Sequence, residues 1–272
     1  MTFFQAIVLG LLQGVTELFP VSSLGHSVIL PAFFGWTDVV AAQDASESYF
    51  LAFLVGLHVA TALALAWYFR DDWRRIIGAL FDSVRRRAIE TPDARLGWLL
   101  IVATIPAGLL GLIFEHQLRM VFAKPLLAGV LLFINGLILL AGERLRRRSS
   151  RPRVRPLRLG PPVRDPTRDD RRELDSLEFR EAGAIGVGQV FALLAGISRS
   201  GITMVAGLVR GLDHEDAARF SFLLATPIIL AAGVYKLPDL LGPNGDGVRL
   251  QVLVGSVAAG VAAYFSVRFL AR

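Results

Sequence analysis

Five apolar runs, each long enough to cross a bilayer, constrain this chain more than any other feature. They extend from about Tyr49 to Tyr68, Leu96 to Phe114, Pro125 to Ala141, Ala217 to Tyr235 and Leu250 to Leu270. A helix rises ~1.5 Å per residue, so roughly 17–25 apolar residues cross a hydrocarbon core of ~30 Å. With 54% hydrophobic residues and a mean hydropathy of +0.54, the 272-residue chain holds more apolar side chain than a soluble globule can hide. The expected fold class is an all-α polytopic membrane protein with about five full spans.

Positive charge gathers in two places. Arg70, Arg74, Arg75, Arg85, Arg86, Arg87 and Arg95 lie between the first two runs, and RLRRRSSRPRVRPLRLGPPVRDPTRDDRR follows the third. The connections PAFFGWTDVVAAQDASES and KLPDLLGPNGDG are acidic or nearly uncharged. The positive-inside rule then puts both arginine segments in the cytoplasm and the acidic connections outside. No nucleic-acid partner is expected, because the aromatic interleaving of a strand-binding groove is missing. Cysteine is absent, which excludes disulfides, thiolate metal sites and a cysteine nucleophile. The first apolar segment has neither a basic leader nor a clean cleavage site and is expected to stay in the mature protein.

Sliding the sequence against itself gives one informative match, at an offset of 176. GLLQGVTELFPVSSLGHS then lies over GVGQVFALLAGISRSGIT, aligning Gly10 with Gly186, Gln13 with Gln189, Ser22 with Ser198 and Gly25 with Gly201. SYFLA at 48–52 is echoed by SFLLA at 221–225. Each copy reads as a short apolar helix, a break carrying serines with Pro or Gly, and a second short helix, the pattern of re-entrant helices in inverted-repeat membrane folds. The expected organisation is a first repeat over 1–145, with a re-entrant pair at 1–36 and spans near 49–68, 96–114 and 125–141. An Arg/Pro-rich cytoplasmic linker covers 146–180. A second repeat covers 181–272, with a re-entrant pair at 182–210 and spans near 217–235 and 250–270.

The breaks carry polar groups that hydrocarbon does not tolerate without a reason. Gln13 and Glu17 are four apart and share a helix face, Pro20 is expected to stop that helix, and Ser22 or Ser23 caps the next one with His26 a turn inside. An ionised glutamate in hydrocarbon costs about 3 kcal/mol by insertion scales, so Glu17 must face a cavity, a partner or a metal. In the second copy Arg199 lies between Ser198 and Ser200, with Thr203 a turn later, and its planar fork suits phosphate. Gly196 and Gly201 let backbone N–H groups approach an anion at the start of the following half-helix. A phosphorylated lipid head group calls for all of these, and the carboxylate among them argues for a bridging cation or proton transfer.

At these stretches the sequence resembles the undecaprenyl-diphosphate phosphatase family of the bacitracin-resistance type. QGVTELFPVSSLGH satisfies that family's Glu/Gln-x-x-x-Glu motif running into PVSS-x-GH. AGISRSGIT followed by DHEDAARFSFLLATP satisfies most of its PG-x-SRSG-x-T motif and the usual continuation. The resemblance implies a bacterial plasma-membrane enzyme that hydrolyses undecaprenyl diphosphate to the monophosphate, recycling the lipid carrier for cell-wall synthesis. It also implies dependence on a divalent cation, magnesium or calcium, and a site opening outward. By family pattern Gln13, Glu17, His26 and Arg199 are central. Ser22, Ser23, Ser198, Ser200 and Thr203 bind phosphate or take part in chemistry.

The expected assignment is therefore Glu17, His26, Arg199 and Ser23 as catalytic, with Gln13, Ser22, Ser198, Ser200, Thr203, Gly196, Gly201 and Gln189 binding substrate and Glu17 and Gln13 holding the metal. A Ser22 or Ser23 alkoxide, His26, or activated water fits the attacking role by residue type. Departures from the family pattern are Ala195 for proline, Leu24 for threonine, and His58 where glutamine is more usual, read as no more than a supporting residue. Family members usually continue for roughly one further span, so a final span is expected to be missing from the sequence as given. Membrane lipids and a second copy of the chain are the other expected partners. The competing reading is a lipid-phosphate transporter or flippase, because inverted repeats of broken helices also build secondary transporters.

Overall fold

The computed structural model describes residues 1–44, 49–114, 124–149, 177–236, 238, 242 and 247–271. Among the described residues there are eleven helices and no strand. They are α1 (Phe3–Thr16), α2 (Ser23–Phe33), α3 (Thr37–Asp44), α4 (Tyr49–Tyr68), α5 (Arg70–Arg86), α6 (Pro92–Ile113), α7 (Pro125–Ser149), α8 (Phe179–Phe191), α9 (Arg199–Val209), α10 (His214–Tyr235) and α11 (Arg249–Leu270). Helices α4, α6, α7, α10 and α11 are long and apolar enough to cross a membrane, matching the five runs. The expected linker falls mostly on residues 150–176, which lie outside the described residues.

Local chemistry sets the helix boundaries. Thr2 and Gln5 form a reciprocal capping box at the start of α1, Thr91 caps α6 ahead of Pro92, and Asp213 caps α10. Pro20 does not end the first half-helix: α1 stops at Thr16. The chain tightens ahead of the proline, with the Leu18 N–H turning to the Val15 carbonyl three residues back at 3.3 Å, so the break spans the turn from Glu17 to Ser22. Helix α7 outruns its expected end because Glu143 accepts from Arg146 at 3.0 Å and Arg147 at 2.6 Å, one turn on.

The first arginine-rich connection is largely a helix rather than a loop. In α5 Asp71 and Asp72 sit in the first turn and Arg85 and Arg86 in the last, each complementing the helix dipole. Ile76 is buried while Phe81 and Val84 are exposed, so the helix is two-faced. Asp72 accepts from Arg219 of α10 at 2.6 Å and ties α5 to the helix bundle.

The two short pairs, α1–α2 and α8–α9, pack against the long helices, α1 on α11 and α8 on α6. Gly10 and Gly14 of α1 press on Gly255 and Ala259 of α11, where a Cβ on either glycine would collide with backbone. Gly186 of α8 meets the Ala103 carbonyl of α6 in the same way. The breaks also touch. A Cβ on Gly25 would lie 2.9 Å from Gly196 Cα, and one on Gly201 would lie 3.3 Å from the Pro20 carbonyl. Residues 20 and 196, and 25 and 201, are each 176 apart, the offset of the sequence match.

Gly14→Ala is expected to destabilise the fold by about 1–3 kcal/mol, because the new methyl cannot be accommodated without separating two backbones. Gly108→Ala, where nothing lies within 4 Å, is expected to be neutral or slightly stabilising. Unfolding of both purified variants by denaturing detergent checks the contrast, and equal midpoints would rule out the close approach.

Candidate active site

The end of α1 presents Gln13 and Glu17 on one face, since Glu17 keeps a right-handed helical conformation and its N–H still bonds the Gln13 carbonyl at 3.0 Å. Glu17 is 8% exposed, and both carboxylate oxygens are engaged. Oε1 accepts from Arg199 Nη2 at 2.7 Å. Oε2 accepts from the Ser23 hydroxyl at 2.6 Å and from Gln13 Nε2 at 3.3 Å, with His58 Nε2 at 3.6 Å. The two halves of the sequence match thus meet at one carboxylate, 182 residues from its guanidinium partner.

Arg199 is the first residue of α9 and also donates, weakly at 3.4 Å, to the Ser221 carbonyl. A guanidinium carries five N–H donors, so these contacts leave donors for a ligand. His26 and His58 share one arrangement: each ring Nδ1 lies 2.8 Å from the carbonyl four residues back, on Ser22 and Leu54. A carbonyl only accepts, so Nδ1 carries the proton in both and Nε2 is left for other chemistry. His58 is closer to the carboxylate than its reading as a supporting residue suggested, and a histidine four residues after a leucine on an apolar helix gives no sequence sign of that contact.

Several residues expected to hold substrate have structural partners instead. Ser22 Oγ caps α2 by accepting from Gly25 N at 3.3 Å, and it also accepts from Gly196 N at 3.2 Å across the two breaks. Ser198 Oγ caps α9 through Gly201 N at 3.1 Å. The N–H groups of Gly196 and Gly201 therefore brace the fold and are not free for an anion. Thr203 Oγ1 sits 2.6 Å from Ser221 Oγ, fastening α9 to α10, and Ser200 Oγ lies 3.0 Å from Ser198 Oγ. Gln189 donates to the Ala103 carbonyl at 2.8 Å and joins α8 to α6, because it shares with Gly186 the face that packs there.

Ser22 has φ +65°, a value that side chains beyond glycine rarely adopt. Such a conformation costs on the order of 1–3 kcal/mol and persists where surrounding contacts enforce it, here the two N–H groups held by its hydroxyl. Asn135 of α7 joins both breaks: Nδ2 donates to the Pro20 carbonyl at 3.0 Å and Oδ1 accepts from Ser198 N at 2.9 Å. Sequence reasoning missed Asn135, although it is the single polar side chain between Lys124 and Glu143.

Residues 6–272 match the family model of the bacitracin resistance protein BacA. The chain belongs to the BacA family. Similar relatives include undecaprenyl-diphosphatase 2 of Frankia alni, 54% identical over the whole chain and 91% of the relative. The undecaprenyl-diphosphatase of Mycolicibacterium paratuberculosis is 54% identical, again over the whole chain and 90% of the relative. Undecaprenyl-diphosphatase 2 of Burkholderia ambifaria is 44% identical, covering the whole chain and 88% of the relative. Within this family member the breaks at 17–22 and 192–198 hold one compact polar site, with Glu17, Ser23 and Arg199 as its centre.

Proposed function

We propose that this BacA-family protein is an integral-membrane undecaprenyl-diphosphatase, which removes the terminal phosphate of undecaprenyl diphosphate and returns the monophosphate to cell-wall synthesis. One observation carries the reading beyond family: a hydroxyl and a guanidinium are held on the two oxygens of one buried carboxylate, Ser23 at 2.6 Å and Arg199 at 2.7 Å. Phosphoryl transfer rests on positioning and on neutralising the charge of the transferring group, and this trio supplies an attacking oxygen, a proton acceptor and a cationic fork.

Ser23 Oγ attacks the terminal phosphorus while its proton passes to Glu17 Oε2. The bond to the bridging oxygen breaks, and its electron pair leaves on the lipid monophosphate. Water then attacks the phosphoserine, the Ser23 oxygen regains a proton from Glu17, and inorganic phosphate departs. The Arg199 guanidinium and the N–H groups of the first two residues of α2 and of α9, which precede the capped Gly25 and Gly201 and have no carbonyl one turn back to bond, hold the phosphate oxygens. His26 Nε2 is the second proton-transfer group available at the start of α2.

A divalent cation, magnesium or calcium, fits the oxygen donors present. Gln13 Oε1 is buried with no hydrogen-bond partner among the described residues, on the amide whose Nε2 donates to the Glu17 carboxylate. One carboxylate and one amide oxygen are a typical protein share of a site that substrate phosphates complete. When bound, the cation neutralises charge on the diphosphate.

The arginine segments support a cytoplasmic side for α5 and the linker, and so a site opening to the outer face. Membrane lipids cover the exposed stripe of Leu250, Leu253, Val257, Val261, Phe265 and Phe269 on α11. The test is phosphate release from undecaprenyl diphosphate by purified protein in detergent, where a transporter has no second compartment to reach. Release is expected, and chelation of divalent ions is expected to slow it at least about tenfold. In sealed right-side-out vesicles a water-soluble short-chain diphosphate should be hydrolysed without lysis. No release in detergent at any divalent concentration rules out the phosphatase and favours the transporter.

A further inference from the structure

We propose that Asn135 is a positioning residue for phosphate transfer, clamping the start of α9 to the break before α2 and so holding Arg199 and Ser23 on Glu17. The inference rests on the phosphatase reading above. Asn135 is 2% exposed and both ends of its amide are used, Nδ2 on the Pro20 carbonyl at 3.0 Å and Oδ1 on the Ser198 N–H at 2.9 Å. Neither contact is with a side chain. They are with backbone three residues before Ser23 and one residue before Arg199, so Asn135 governs where those groups sit without touching phosphate.

Geometry makes this clamp matter. The breaks meet at glycines, Gly25 against Gly196 and Gly201 against Pro20, with Val28 and Ala195 in the apolar cluster alongside, and such packing is not directional. Beyond that van der Waals contact and the Glu17–Arg199 pair itself, Ser22 Oγ to Gly196 N at 3.2 Å is a further tie among the described residues, and it reaches the second break two residues before Ser198. Without Asn135 the Ser198 N–H and the Pro20 carbonyl lose their acceptor and donor in a buried setting and must rearrange to find others. The Ser23 and Arg199 contacts to Glu17, at 2.6 and 2.7 Å, have little tolerance for that movement. A shift of about 1 Å in reacting groups can cost on the order of 10²-fold in rate. Helix α7 invests its single polar side chain between Lys124 and Glu143 in this bridge, a use of asparagine that packs helices together in membranes.

The test compares wild type, Asn135→Ala and Asn135→Asp in detergent, with kcat and KM for undecaprenyl diphosphate expressed per folded protein from size exclusion. Asn135→Ala is expected to lower kcat on the order of 10²-fold with KM within about threefold. Asn135→Asp keeps an oxygen for the Ser198 N–H and is expected to recover about tenfold of that loss. A kcat within about threefold of wild type for folded Asn135→Ala overturns the proposal. So does a loss explained wholly by a smaller folded fraction, or failure of both variants to fold, either of which makes Asn135 a folding residue alone. An inactive wild type defeats the phosphatase reading itself, whereas active wild type with active variants defeats only this inference.

Discussion

Arg199→Ala is expected to slow phosphate release by about 10³–10⁵-fold, the range for an arginine that stabilises charge on a transferring phosphoryl group. Two effects combine in this variant. The phosphate loses its fork, and Glu17, 8% exposed, loses the partner on its Oε1. Breaking a buried pair by removing one member costs about 3–5 kcal/mol of stability, so part of any lost activity could reflect unfolding. Arg199→Lys separates the two. An ammonium keeps the charge opposite Glu17 but presents a point in place of a planar fork, so the lysine variant should fold while remaining well below wild-type activity. Arg199→Ala within tenfold of wild type per folded protein would remove Arg199 from the chemistry.

Glu17→Gln and Ser23→Ala are each expected to lower kcat by roughly 10²–10⁴-fold, the contribution of one positioned proton-transfer group. The double variant is expected to be no slower than the worse single one. Groups that act as a unit lose their joint contribution once either is removed, and the 2.6 Å bond between Ser23 Oγ and Glu17 Oε2 makes these two a unit. Additive losses would mean that they act separately. Rapid quenching of wild-type protein during turnover, followed by mass spectrometry, should find phosphate on Ser23. Phosphate on His26, or on no residue, would move the attack to that imidazole or to water.

Much of the site was legible because hydrocarbon makes polar residues conspicuous. Glu17 and Arg199 stood out in apolar surroundings, and the repeated Gln, Ser and Gly positions linked stretches 176 residues apart. Hydroxyl roles were far less readable. Ser22 and Ser23 are adjacent, yet one hydroxyl braces two backbone N–H groups and the other meets the carboxylate. Which way each points depends on the φ of +65° at Ser22, a tertiary outcome that composition does not encode. Gln189 misled for a similar reason. It aligns with Gln13, but its face of α8 packs against α6, so its amide bonds a neighbouring backbone. Asn135 left a readable signal, one amide in an apolar span, but its partners at Pro20 and Ser198 could be named only once the breaks were placed together. The spans themselves were found to within a turn at most ends, whereas α5 was hidden by arginines whose charge dominates its apolar edge.

The Glu17–Arg199 contact also sets an order of events during synthesis. A ribosome adds about 5–20 residues per second, so the 182 residues between them take roughly 10–40 s to make. For that interval the first half-helix waits in or near the bilayer with its carboxylate present and its guanidinium unmade. Gln13 and Ser23, translated within the same first turns of chain, are the partners already at hand. Those two contacts are local to the first break, and the arrival of the second adds the cation that pairs with the carboxylate.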